Sequence, residues 1–105
     1  MKPFDIFIFS LSCGDGDKNR PVLVYALNDK FVKIYPITTQ YKNKSEAIKA
    51  KYFKINDWLQ AGLNKQSYVD TGTRIKQPLS TFNNADPIGE LTESDKQRLI
   101  KFIKK

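Results

Sequence analysis

Residues 21–37, PVLVYALNDKFVKIYPI, hold two β-branched and aromatic runs separated only by Asn28, Asp29 and Lys30. Such a short polar connection folds the runs back on each other as an antiparallel hairpin of strands 21–27 and 31–37. Neither run alternates cleanly between apolar and polar residues. Both strands therefore need cover on two faces, as a small barrel provides. Pro21 and Pro36 cannot donate to a ladder, which confines them to strand starts, edges or bulges. In an antiparallel pair the start of one strand lies beside the end of the next. Arg20, directly before the first run, and Thr38, directly after the second, thus come to one edge of the sheet.

The rest of the chain supplies pieces that complete such a core. FDIFIFSL (4–11) reads as a first strand, and SCGDGDKN (12–19), with two glycines and two aspartates, as a flexible loop. QYKNKSEAIKAKYFK (40–54) begins as a loop and passes into an alternating strand around 50–55. NDWLQAGLNK (56–65) predicts one short helix, capped by Asn56 or Asp57, with Trp58, Leu59 and Leu63 on its apolar side. SYVDTG (67–72) and TRIKQP (73–78) read as short strand pieces around a glycine, and 79–91 as turn material. A final helix starts at Thr92 or Ser94, with Asp95 or Gln97 three residues on as in a capping box. Leu99, Ile100, Phe102 and Ile103 form its apolar face, and Lys101, Lys104 and Lys105 favour its C-terminal dipole. The expectation is an α+β fold: one domain over 1–105, built on a small, partly open β-barrel with a short internal helix and a C-terminal helix.

Charge and absences narrow the chemistry. Eighteen Lys and Arg against eleven Asp and Glu give a net charge of +7 and a pI near 9.5. That balance suits a polyanionic partner, and equally a solubilising surface. No apolar run approaches the roughly 20 residues of a membrane-spanning helix. The opening MKPFDIFIFSLSCG faintly imitates a secretory signal, but Asp5 interrupts it and no small-residue cleavage pattern follows, so a cytoplasmic protein is expected. The one cysteine, Cys13, cannot form an internal disulfide, which fits a reducing compartment. With no histidine and no clustered carboxylates, histidine-based triads and two-metal sites have no residues to be built from, and no metal or cofactor is expected.

NRPVLVY, then YPITTQ, QSYVDTG and IGELTESDKQRL, in that order, resemble the MazF/PemK toxins of bacterial toxin–antitoxin systems. The resemblance runs from FDIFIF to LIKFI. It implies an SH3-like barrel shared by MazF and CcdB toxins, a homodimer, metal-independent and sequence-specific cleavage of single-stranded RNA, and neutralisation by a cognate antitoxin. It places the family's catalytic arginine on Arg20 and its threonine on Thr38. The chemistry agrees with those residue types. RNA cleaves itself when its 2′-OH attacks the adjacent phosphate, so the enzyme need supply only positive charge and proton handling. Arginine presents a fork of donors that stays charged, and a hydroxyl adds a hydrogen bond to developing charge. The family description gives this arginine a role in proton transfer; since a guanidinium is a very poor base, charge stabilisation is the role assigned to Arg20 here.

Taken singly, Arg20 reads as a solvated rim residue and Thr38 as an ordinary strand-end residue. Thr39 and Gln40 suit substrate contact or structure equally. Lys42 and Lys44, with Lys49, Lys51, Tyr41 and Tyr52, form the most basic and aromatic stretch, a recipe for gripping single strands or a merely solvated face. The same basic groove would suit an acidic antitoxin segment. Asp15 and Asp17 lie where the family carries an RNA-contacting loop, but this loop is shorter and lacks its glutamate. Asp70 and Thr71 stand near an acidic position of some relatives. Two other functions compete: a non-catalytic basic module that binds RNA or protein, and a gyrase-poisoning toxin of the same barrel, whose aromatic C-terminal ending this chain lacks.

Overall fold

The computed structural model describes residues 1–13, 16–83 and 85–104, with the side chains of residues 10–18 outside that description. Among the described residues seven strands form one antiparallel sheet: β1 (Asp5–Cys13), β2 (Gly16–Leu27), β3 (Phe31–Thr38), β4 (Tyr52–Lys54), β5 (Tyr68–Asp70), β6 (Ile75–Pro78) and β7 (Gly89–Glu90). Two helices accompany them, α1 (Glu46–Lys49) and α2 (Glu93–Ile103), and a 3-10 turn spans Leu79–Phe82. The order across the sheet is β4-β5-β3-β2-β1-β7, with β6 also on β3, and the sheet does not close on itself.

The hairpin of β2 and β3 is the spine. Its outer edge is shared: β6 pairs with Phe31–Ile34 and β5 with Ile37 and Thr38. Pro36, which cannot donate to a ladder, falls in the gap between these partners. The register of β2 on β3 runs Val22↔Pro36, Leu23↔Tyr35, Val24↔Ile34, then slips so that Ala26 faces Lys33. Tyr25 is therefore the extra residue of a bulge. Its effect is on facing. Leu23 joins a core with Ile6, Tyr35, Ile37, Phe53, Val69 and Leu99. Val22 and Val24 join a second with Phe7, Val32, Ile34 and Phe82, and the bulge turns Leu27 towards that second core. Apolar residues on both sides of each strand are thus both used, which explains the missing alternation.

Four elements differ from expectation. Residues 12–19 are mostly not loop: β1 and β2 stay paired through Ser12↔Asp17 and Cys13↔Gly16. Asp15 lies outside the described residues, as do the Cys13 side chain and Lys105. The internal helix is at 46–49, inside the stretch read as loop, with Ser45 as its cap. Residues 56–65 form irregular turns instead of a helix. Their N–H bonds reach back four residues (Ala61 to Asp57), three (Gly62 to Leu59) and five (Leu63 to Trp58). Leu59 consequently points outward at 68% exposure, whereas Leu63 is buried. The irregularity lets Gly62, at φ 92°, abut the Ile88 carbonyl, while Gly89 abuts that of Ala61. Within the span read as turn, Leu79–Phe82 coils once to cover the second core and Gly89–Glu90 pairs with Asp5 and Ile6.

Helix α2 is as expected. Thr92 caps it, accepting from the Asp95 N–H at 3.4 Å. Leu99 is fully buried, and Phe102 meets Phe53 edge-on at 5.5 Å. Asp95, also buried, accepts from the backbone N–H groups of Asp57 (2.8 Å) and Asn56 (3.4 Å) and from Arg98 (2.7 Å). Thr92 donates in turn to the Asp57 carboxylate at 2.7 Å. The cap expected from Asp57 on its own turn is thus supplied by the distant Asp95.

Candidate active site

Extending the β2–β3 register by two residues from Val22↔Pro36 sets Arg20 opposite Thr38. Both line an open cleft of about 290 Å³, with Asn19, Thr39, Gln40 and Ser67 around them. Three pieces of chain build it: the interior of β2 around Arg20, the end of β3, and the start of β5, which Thr38↔Tyr68 pairing draws in. Arg20 is half-buried, and among the described residues no carboxylate forms an ion pair with it. Arg20 lies inside β2, paired on its other side with Phe9 of β1, and so holds an interior position of the sheet and not the strand end that the sequence predicts.

Thr38 is oriented by its own backbone. The Gln40 N–H donates to Thr38 Oγ1 at 3.0 Å, a local turn that ends the strand. That bond occupies a lone pair and leaves the hydroxyl proton as the part free to donate. Ser67 lines the same cleft, but its hydroxyl is committed to the Lys65 carbonyl at 2.9 Å.

A second cleft of about 440 Å³ adjoins the first through Thr39 and Gln40, and is lined further by Tyr41, Lys42, Asn43, Gln66 and Tyr68. Tyr41 stacks on Tyr68 at 4.3 Å and 11°, and the Lys49 ammonium lies 5.2 Å from its centroid. Tyr52, at 6.3 Å from Tyr41, extends this aromatic group. Burial, with Asp70 as a second cause, raises the Tyr52 phenol above its ordinary value. Gln66, Ser67 and Tyr68 carry no motif of their own. Only their place at the head of a short strand, within QSYVDTG, hints at a site role.

Other expected residues fall elsewhere. Asp70 accepts from the Gly72 N–H (3.0 Å) and the Thr73 hydroxyl (2.7 Å), shaping the turn after β5. Thr71 donates to the Lys51 carbonyl at 2.6 Å and lines a separate cleft with Lys51 and Arg74. Neither lines the Arg20 cleft. Lys44 is half-buried and outside both clefts, and the Asp17 side chain lies outside the described residues. Among the described residues no helix is long and apolar enough to cross a membrane.

No family model and no curated protein matches the sequence. Among solved structures, the Mycobacterium tuberculosis toxin MazF-mt6 is similar, with a TM-score of 0.67 and 25% identity over 94% of this chain and 91% of that one. The chain is therefore MazF-like, carrying the fold of a MazF toxin over nearly its whole length.

Proposed function

We propose that this chain is a metal-independent endoribonuclease toxin that cleaves single-stranded RNA at preferred sequences and is held in check by a cognate antitoxin. The observation that carries the reading is the convergence of Arg20 and Thr38 on one cleft, with the Thr38 hydroxyl proton left free to donate. The substrate's own 2′-OH attacks the adjacent phosphorus, the 5′-oxygen leaves, and the products are a 2′,3′-cyclic phosphate and a 5′-OH end. Arg20 stabilises the extra charge on the pentacoordinate phosphate, and Thr38 adds a hydrogen bond to an equatorial oxygen. The clefts at Lys51 and Arg74 and at Lys54 and Lys101 offer cations to an acidic antitoxin segment. A homodimer is part of this reading.

The test is incubation with RNA in EDTA followed by mapping of new ends. Cleavage should persist in EDTA and yield 5′-OH ends. Arg20→Ala should abolish it, and Thr38→Val should slow it by about 10²–10³-fold. Full activity in Arg20→Ala, or arrest of cleavage by EDTA, would refute the proposal.

A further inference from the structure

We infer that the second cleft is a base-reading subsite, in which the Gln66 side-chain carbonyl accepts a hydrogen bond from the exocyclic amino group of a nucleobase flanking the scissile phosphate. The inference rests on the RNA-cleaving reading for its ligand class. Its geometry begins with the Gln66 amide, whose nitrogen donates both to the Ile55 carbonyl at 2.8 Å and to the Ser67 carbonyl at 3.2 Å. Turning the amide over would set its oxygen against two carbonyl oxygens, so the orientation is fixed chemically. Both N–H groups are spent, and Oε1 remains as an acceptor.

Around Gln66 the cleft has what a base needs. Tyr41 and Tyr68 supply aromatic surface in a rigid stack, and exposed Lys42 supplies charge for a flanking phosphate. Its volume of about 440 Å³ is that of a small-ligand site, for which about 300–1,000 Å³ is usual. The reach also fits. Tyr41 stands three residue steps beyond Thr38, at most about 11 Å of extended chain, so a nucleotide next to the phosphate between Arg20 and Thr38 comes within range. A lone fixed acceptor favours bases that offer an amino group. One neutral hydrogen bond of this kind corresponds to about a tenfold preference.

The experiment uses the full chain and fluorescein-labelled 2′-O-methyl hexanucleotides, which the proposed cleavage cannot consume. Anisotropy titrations compare hexamers of adenosine with hexamers of the nucleoside in which the adenine amino group is replaced by hydrogen, and likewise for cytidine and guanosine. Wild type should bind at least one amino-bearing hexamer about tenfold more tightly than its amino-less counterpart. Gln66→Met, checked for folding by circular dichroism, should erase that gap, whereas Tyr68→Leu should weaken all hexamers alike. Equal affinities within all three pairs in wild type would overturn the inference, and that comparison needs no variant. So would a gap that survives in folded Gln66→Met. RNA cleavage is scored separately: binding with the expected gap but without cleavage sinks the endoribonuclease reading and leaves the subsite standing. Cleavage without the gap does the reverse.

Discussion

Truncating Asp95 to alanine removes a carboxylate that ties α2 and its Arg98 to the 56–63 turns. Its carboxylate is fully buried and accepts three bonds, two from the backbone N–H groups of Asn56 and Asp57 and one from Arg98. Breaking a buried pair typically costs about 3–5 kcal/mol. Arg98, however, is 39% exposed, so water recovers part of its solvation. It also keeps its bond to the Lys54 carbonyl at 3.2 Å and its place over the Phe53 ring. Asn56 is exposed, so water can take over its N–H, but the Asp57 N–H is partly buried and an orphaned donor of that kind costs about 1–3 kcal/mol. A net loss of about 3 kcal/mol follows, a large share of the usual 5–15 kcal/mol total. In a domain of this size that lowers Tm by about 12–24 °C. Asp95→Asn keeps one carbonyl acceptor and should lose about half as much. Urea denaturation at neutral pH with both variants decides it. A loss below about 1 kcal/mol for Asp95→Ala, or equal losses for the two, would refute the reasoning.

Gly89→Ala and Gly62→Ala should each cost about 2–3 kcal/mol by chemical denaturation, because each new methyl meets a backbone carbonyl across the turn–β7 contact and Gly62 is at positive φ. Leu99→Ala should cost about 2–5 kcal/mol, while Leu59→Ser should stay within about 0.5 kcal/mol, in line with their opposite exposures. Lys96 first and Lys2 second hold the Glu90 carboxyl below its ordinary 4.5, so its contribution is complete above that value and is lost as pH falls through the lower folded one. Glu90→Gln should flatten this acid limb in a stability–pH series, and an unchanged limb would count against the pairing. Lys2 is raised above its ordinary 10.5 by Glu90 and then Asp5, so its contribution is present below 10.5 and fades only at higher pH.

How much of this was legible in the sequence depends on the range of the forces involved. The hairpin is encoded locally: two apolar runs and a polar turn fix its direction and set Arg20 opposite Thr38. They do not fix the start of β2, which pairing with β1 carries back to Gly16 so that Arg20 is interior to the sheet. Helix α2 is local too, since Thr92, Asp95 and the spacing of Leu99 and Phe102 specify its cap and its buried face. Residues 56–65 misread because their helical spacing competes with contacts far away in sequence, the Asp95 cap and the Gly62–Gly89 approach. Residues 12–19 misread because cross-strand pairing overrode turn-forming composition. Gln66, Ser67 and Tyr68 reach the clefts only through β5 pairing on β3, a contact no local pattern announces. Asp70 and Thr71 look chemically apt in the sequence, yet their polar atoms are consumed by the turn they build.

The extra residue at Tyr25 also tells where this hairpin is free to change length over generations. Arg20 and Thr38 hold opposite places through the pairs from Val22↔Pro36 to Val24↔Ile34, all on one side of the irregularity. Beyond it, losing Tyr25 or lengthening Asn28–Lys30 would re-seat Leu27 without moving Arg20 relative to Thr38. A one-residue insertion between Arg20 and Val22 would instead throw the arginine to the opposite face of the sheet. The distal end can drift by insertion and deletion, while the stretch from Arg20 to Val24 has to keep its count.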